Sequence, residues 1–170
     1  MAFSFTQRLR EGYRQLLCSL PPEERGRVVC LRAAMAGART KQERADRFFE
    51  LVVAYRSGSR QIWGPVLLDT LAPDLLLRRR RLRLEEPVAC DDDIEQQLLL
   101  EVLVAAAQMQ LPASCLYLRN RVVARANQAV ARGLRRERRR QARQESLEFL
   151  LDRDEAMSEW ERWKSMLPPT

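Results

Sequence analysis

RVVARANQAVARGLRRERRRQAR, from Arg121 to Arg143, sorts its arginines from its aliphatic residues at helical spacing. At about 100° per residue, Arg121, Arg125, Arg132, Arg136, Arg139 and Arg143 share a stripe about 60° wide and about 33 Å long. The opposite side holds Leu116, Val123, Val130 and Leu134, with Asn120 and Asn127 at its flank. The pattern is a two-faced helix, docked along one side and cationic along the other.

Upstream, the same period recurs. Phe5, Leu9, Tyr13, Leu16 and Leu20 step by three and four along one helix face, which Pro21 and Pro22 end. Glu23 and Glu24 then suit the first turn of a helix carrying Val28, Val29, Leu31 and Met35, stopped near Gly37. TKQE, Thr40–Glu43, has the form of a capping box. It opens a helix with Phe48, Phe49, Leu51, Val52 and Tyr55 that closes near Gly58. Pro65 and Pro73 each fit a first helical turn, so two short helices are expected, about 65–71 and 73–84, with Trp63 as a core anchor. EEPVACDDD reads as a loop, and Asp92 with Glu95 as a second capping box. The strongly apolar helix after it is expected to be central, and Pro112 to end it.

These elements predict an all-α fold: a compact multi-helix bundle with a long basic C-terminal helix and an acidic helical tail. The chain has 170 residues, which suits one domain with an appendage. The expected boundary separates a helical domain, 1–144, from an acidic segment, 145–170. In the tail Leu147, Leu150, Leu151, Met157, Trp160 and Trp163 are expected to face inward, and the final LPPT to fray. Aromatic residues make up only 6% of the chain, and Leu, Ala and Val carry the apolar content, which favours helices over a β-sandwich.

Several chemistries are disfavoured. The chain has no histidine, the commonest general base and metal ligand. Cys18, Cys30, Cys90 and Cys115 form no C-x-x-C pair, so no metal site or other cofactor is expected. The thiols read as small buried hydrophobes in a reducing cytoplasm. No phosphate-loop, dinucleotide or nucleophile-elbow motif occurs, and Asp91–Asp93 fits a helix cap better than a metal site. The expectation is a non-enzyme without a small-molecule substrate. Charge arrives too early for a signal peptide, and no apolar run reaches the roughly eighteen residues of a membrane span, so no membrane partner is expected.

The net charge is +7, almost all of the cations being arginine, which suits phosphate or carboxylate and also follows from a GC-rich genome. Only Glu137 interrupts the run between Arg132 and Arg143. Aligned like charges repel, so the stripe calls for an anionic partner. Nucleic acid fits best, through Arg121, Arg125, Arg132, Arg135, Arg136, Arg139, Arg140 and Arg143. The acidic tail folding back, a solvated face, and a coiled-coil register set by the asparagines are the alternatives. Apart from Arg and Gln128 the stripe offers nothing to read bases.

Four stretches carry a family likeness. They are RFFELVVAYRSG (Arg47–Gly58), LLDTLAPDLLLRRRRLRL (Leu67–Leu84), DDIEQQLLLEVL (Asp92–Leu103) and LYLRNRVVARANQAVARGLRRERRR (Leu116–Arg140). Together they resemble domain 2 of the bacterial sigma-70 family of RNA polymerase sigma factors, most of all the small group IV type. The resemblance implies that the acidic helix faces RNA polymerase through Asp92, Asp93, Gln96 and Gln97. It also implies that the last helix faces promoter DNA, with Arg125, Arg132, Arg135, Arg136 and Arg139 on phosphates. The sequence departs from the family in VAAAQMQLPAS, Val104–Ser114, which lacks the aromatic cluster that captures a flipped base. It also leaves too little chain after residue 145 for a second DNA-binding domain. A helical adaptor or mobile-element accessory protein that binds an acidic protein is the alternative function.

Overall fold

A computed structural model describes residues 5–85, 90–111 and 114–166, with side chains to 149 and that of Arg153. The chain divides into two units, Met1–Ala131 and Arg132–Thr170. The compositional boundary expected at 144/145 lies inside the second. The described residues are all-α: α1 (Phe5–Ser19), α2 (Pro22–Gly37), α3 (Lys41–Ser57), α4 (Arg60–Glu85), α5 (Asp91–Gln108), a 3₁₀ turn (Cys115–Tyr117) and α6 (Leu118–Met166). None of these helices is long and apolar enough to cross a membrane. Residues 86–89 of the expected loop EEPVACDDD, Pro112 and the final LPPT lie outside the described residues, while Asp91–Asp93, expected in that loop, are the first turn of α5.

The first unit is a bundle organised on α4, which packs against α1, α3 and α5. This corrects two expectations. The central helix is α4 rather than α5, and α4 is one helix with Pro65 and Pro73 inside it. Each proline removes a backbone donor and crowds the preceding turn, a local cost of about 3 kcal/mol in a helix interior. Packing overrides it. Val66, Leu67, Leu71, Leu75 and Leu82 are fully buried, so a buried apolar face begins directly after Pro65 and continues past Pro73. Gly64 lacks the Cβ that would crowd the Pro65 ring, and Ala72 before Pro73 is small.

The remaining core comes from the expected faces. Phe5 and Leu20 of the first segment are buried, as are Val28 of α2 and Phe48, Leu51, Val52 and Tyr55 of α3. Trp63 is only half-buried. Thr40 caps α3 as its spacing implies: its Oγ1 accepts from the Glu43 amide at 3.0 Å, and Glu43 accepts back from the Thr40 amide at 3.2 Å. The second expected capping box is absent. α5 starts at Asp91 behind Cys90, with no side-chain cap bond, and Glu95 turns into the bundle.

Arginines close two helix ends, where the last carbonyls lack intrahelical partners. Arg25 of α2 donates to the Cys18 carbonyl in the last turn of α1 at 3.4 Å and to the Leu20 carbonyl just past it at 2.9 Å. Arg56 of α3 donates to the Ala106 carbonyl at 2.7 Å and to that of Met109, at the end of α5. Three of the four cysteines, Cys18, Cys30 and Cys90, are exposed and Cys115 is half-buried, against the expectation of buried thiols. They sit on the outer side of α1 and α2 and ahead of α5, where a core face was never formed.

Two tests follow from local geometry. A Cβ on Gly58 would lie 2.8 Å from the Ala54 carbonyl oxygen and 3.1 Å from the Trp63 indole nitrogen, whereas one on Gly12 would meet nothing within 4 Å. Gly58→Ala is expected to lower unfolding free energy by about 1–3 kcal/mol, and Gly12→Ala to raise it by about 0.5–1 kcal/mol; urea titration separates them. The amides of Arg39 and Thr40 hold the Glu43 carboxyl below its ordinary value. Its contribution is therefore complete above the ordinary carboxylate value and disappears as pH falls through the lowered folded value. The stability difference between wild type and Glu43→Gln should shrink on acidification, and a difference that grows would contradict this sign.

Candidate nucleic-acid interface

The part of α6 in the first unit is docked. Leu118, Val122, Val123, Ala126, Val130 and Ala131 are buried. Arg119 anchors this segment to α4, its Nε 2.7 Å from Asp74 Oδ2 and its terminal nitrogen 3.3 Å from the Thr70 carbonyl. Val123 and Val130 occupy the expected apolar side. Leu116 does not, because it falls in the 3₁₀ turn ahead of the helix and stays exposed. Asn127 buries its side-chain oxygen with no hydrogen-bond partner, and Asn120 is exposed. Arg121 and Arg125 are exposed, and no described carboxylate pairs with either.

In the second unit, Arg132, Arg136, Arg139 and Arg143 are likewise exposed, with no ion pair to any described carboxylate. Helical geometry puts the four within about 60° of one another over about 16 Å. Arg135 and Arg140 are exposed beside them, Arg140 lying 3.8 Å from Glu137. Leu134 is half-buried. α6 continues unbroken to Met166, so the tail does not turn back on the arginine run as a separate helix. Leu147 and Phe149 are 61% and 68% exposed, against the inward positions expected of the tail. The other tail side chains expected inward lie outside the described side chains.

The acidic start of α5 is bound within the chain. Glu95, 4% exposed, pairs with Arg8 of α1 and with Arg79 Nε of α4 at 2.6 Å. Asp91 pairs with Arg79 at 2.9 Å and with Arg83, and Asp92 lies 3.4 Å from Arg8. Of the four residues expected to face a partner, Asp92 is therefore engaged internally. Asp93 and Gln96 remain exposed, and Gln97 is half-buried.

The run from Arg78 to Arg83 holds cations that the reading of α6 passed over. Arg79 and Arg83, four apart, turn to Asp91 and Glu95. Arg78 and Arg81, three apart, line a cavity between α4 and α6. The helical period of this run, set against the acids that follow it, carries that division in principle.

The chain matches no family model, no curated protein and no solved structure.

Removing Glu95 leaves Arg79 half-buried without its closest partner. Glu95→Ala is expected to cost about 3–5 kcal/mol in unfolding free energy, against less than about 0.5 kcal/mol for exposed Asp93→Ala. Equal effects in chemical denaturation would show that Glu95 does not bind the three helices.

Proposed function

We propose that this chain is a DNA-binding, transcription-related protein that contacts phosphates through the arginines of α6. One observation carries the reading: Arg121, Arg125, Arg132, Arg136, Arg139 and Arg143 are exposed and pair with no described carboxylate, whereas Arg8, Arg32, Arg79, Arg83 and Arg119 are tied to carboxylates and Arg25 and Arg56 to carbonyls. Guanidinium forks fit phosphate oxygens, and each phosphate neutralised releases condensed counterions. Contacts of this kind fix position on a backbone without reading bases. The reading agrees with the sigma domain 2 resemblance, in which the last helix lies on DNA. A polymerase contact in that arrangement falls to Asp93, Gln96 and Gln97, because Asp92 is engaged by Arg8. No reaction is assigned to the chain, and its place is that of a binding protein.

A second reading rests on Leu147 and Phe149, which expose large apolar surface just beyond the arginines. An adaptor that docks an acidic, partly apolar protein segment would use both features.

Fluorescence anisotropy with a random 20-base-pair duplex across a salt series tests the choice. If about five phosphates are held, log K should fall with log salt at a slope near −4.5, and Arg132→Ala/Arg136→Ala/Arg139→Ala should bring it to about −1.8. A wild-type affinity that ignores salt, or the absence of duplex binding, would leave the adaptor reading standing instead.

A further inference from the structure

Two hollows lined by described residues of the first unit lie beside α6, and their charge differs. The larger, about 430 Å³, is lined by Tyr13, Val29, Arg32, Met35, Thr70 and Arg119 among others. Its cations are already matched. Arg32 pairs with Asp69, donates to Thr70 Oγ1 at 3.2 Å and sits 5.5 Å from the Tyr13 ring centre, and Arg119 pairs with Asp74. It offers an incoming anion no unmatched charge.

The smaller, about 120 Å³, lies between α4 and α6 and is lined by Asp74, Leu77, Arg78, Arg81, Asn120 and Val123. Here the balance is reversed. Asp74 is neutralised by Arg119 at 2.7 Å, from outside the cavity. Arg78 and Arg81 are matched by no described carboxylate, and the Asn120 side chain has no described partner. Two guanidinium groups one helical turn apart, with a carboxamide from the facing helix, present several N–H donors to one small space. Leu77 and Val123 complete its lining, and hydrogen bonds from a guanidinium to an oxyanion are about twice as strong as neutral ones.

We propose that this cavity is a phosphate-binding pocket in which Arg78 and Arg81 grip the oxyanion and Asn120 donates to it. A phosphate has the size and the convergent acceptors that the donor set demands. It can come from a nucleic-acid backbone or from a free phosphate compound. The pocket does not rest on the α6 reading, since none of its lining residues belongs to the arginine stripe.

The test uses the full-length protein and two probes, inorganic phosphate and the 20-base-pair duplex. At constant ionic strength, inorganic phosphate should shift the Asn120 side-chain amide and the Val123 backbone amide resonances saturably. Arg78→Gln/Arg81→Gln should abolish the saturable response. Arg80→Gln, the same change of charge one residue away on a side chain outside the cavity, should retain it. None of these arginines is tied to a described carboxylate, so the fold should survive, as thermal melting will show. If the double variant also lowers the duplex salt slope by about 0.9, the phosphate belongs to the polymer. A retained slope with a retained phosphate response in the wild type assigns the pocket to a free phosphate compound. Either result supports the pocket. No saturable response together with an unchanged slope overturns it. A wild type that binds phosphate and ignores duplex would remove the proposed DNA function and leave the pocket in place.

Discussion

The first unit depends on one buried carboxylate. Glu95 of α5 is almost wholly removed from water and meets Arg8 of α1 and Arg79 of α4. An unpaired charge there would cost several kcal/mol, about as much as a marginally stable domain can lose. The apolar core cannot choose helix neighbours so sharply, because its Leu, Val and Ala faces are nearly interchangeable. The carboxylate can: α5 is satisfied only where an arginine from α1 and one from α4 converge. Asp91 and Asp92 extend the same constraint to Arg83 and to the second approach of Arg8.

The arginines divide by what surrounds them. Arg8, Arg32, Arg79, Arg83 and Arg119 meet carboxylates, and Arg25 and Arg56 meet the carbonyls that end helices. These groups hold the bundle together and have little left for a ligand. Arg78, Arg81, Arg121 and Arg125 of the first unit, and Arg132, Arg136, Arg139 and Arg143 of the second, meet no described carboxylate. The net charge of +7 is therefore not spread evenly over the molecule. In each unit the arginines of α6 that meet no described carboxylate raise the positive potential along that stretch of helix.

Periodicity made much of this legible. The faces of α1, α3 and the docked part of α6 follow from three- and four-residue steps, and the cap at Thr40 follows from four letters. The failures have a common cause, which is that tertiary contacts outweighed local rules. Pro65 and Pro73 read as helix starts because a proline interior is locally unfavourable, yet a buried apolar face carries α4 through both. Asp92 read as a cap because its spacing to Glu95 is right. The sequence could not show that Arg8, 84 residues earlier, would claim one acid and help to bury the other. The cationic pocket was hidden for the same reason, since a run of arginines looks uniform until a second helix lies beside it.

The second unit raises a different question, because no described side chain from Arg132 to Phe149 is buried. Local interactions within the helix therefore matter more there. Arg, Ala, Gln, Glu and Leu favour helix, and Gln144 with Glu148, 3.2 Å apart, adds a small local bond. Against them stand Gly133 and the like-charge neighbours Arg132–Arg136, Arg135–Arg139, Arg136–Arg140 and Arg139–Arg143. Each such pair costs a few tenths of a kcal/mol, about what a favourable pair contributes. An anion laid along the stripe would turn each repulsion into an attraction. Binding and helix stability are then one equilibrium, since whatever neutralises the arginines also favours the helix that aligns them. Interspersed glutamates would have made this helix more stable alone and removed the charge that gives it an affinity for phosphates.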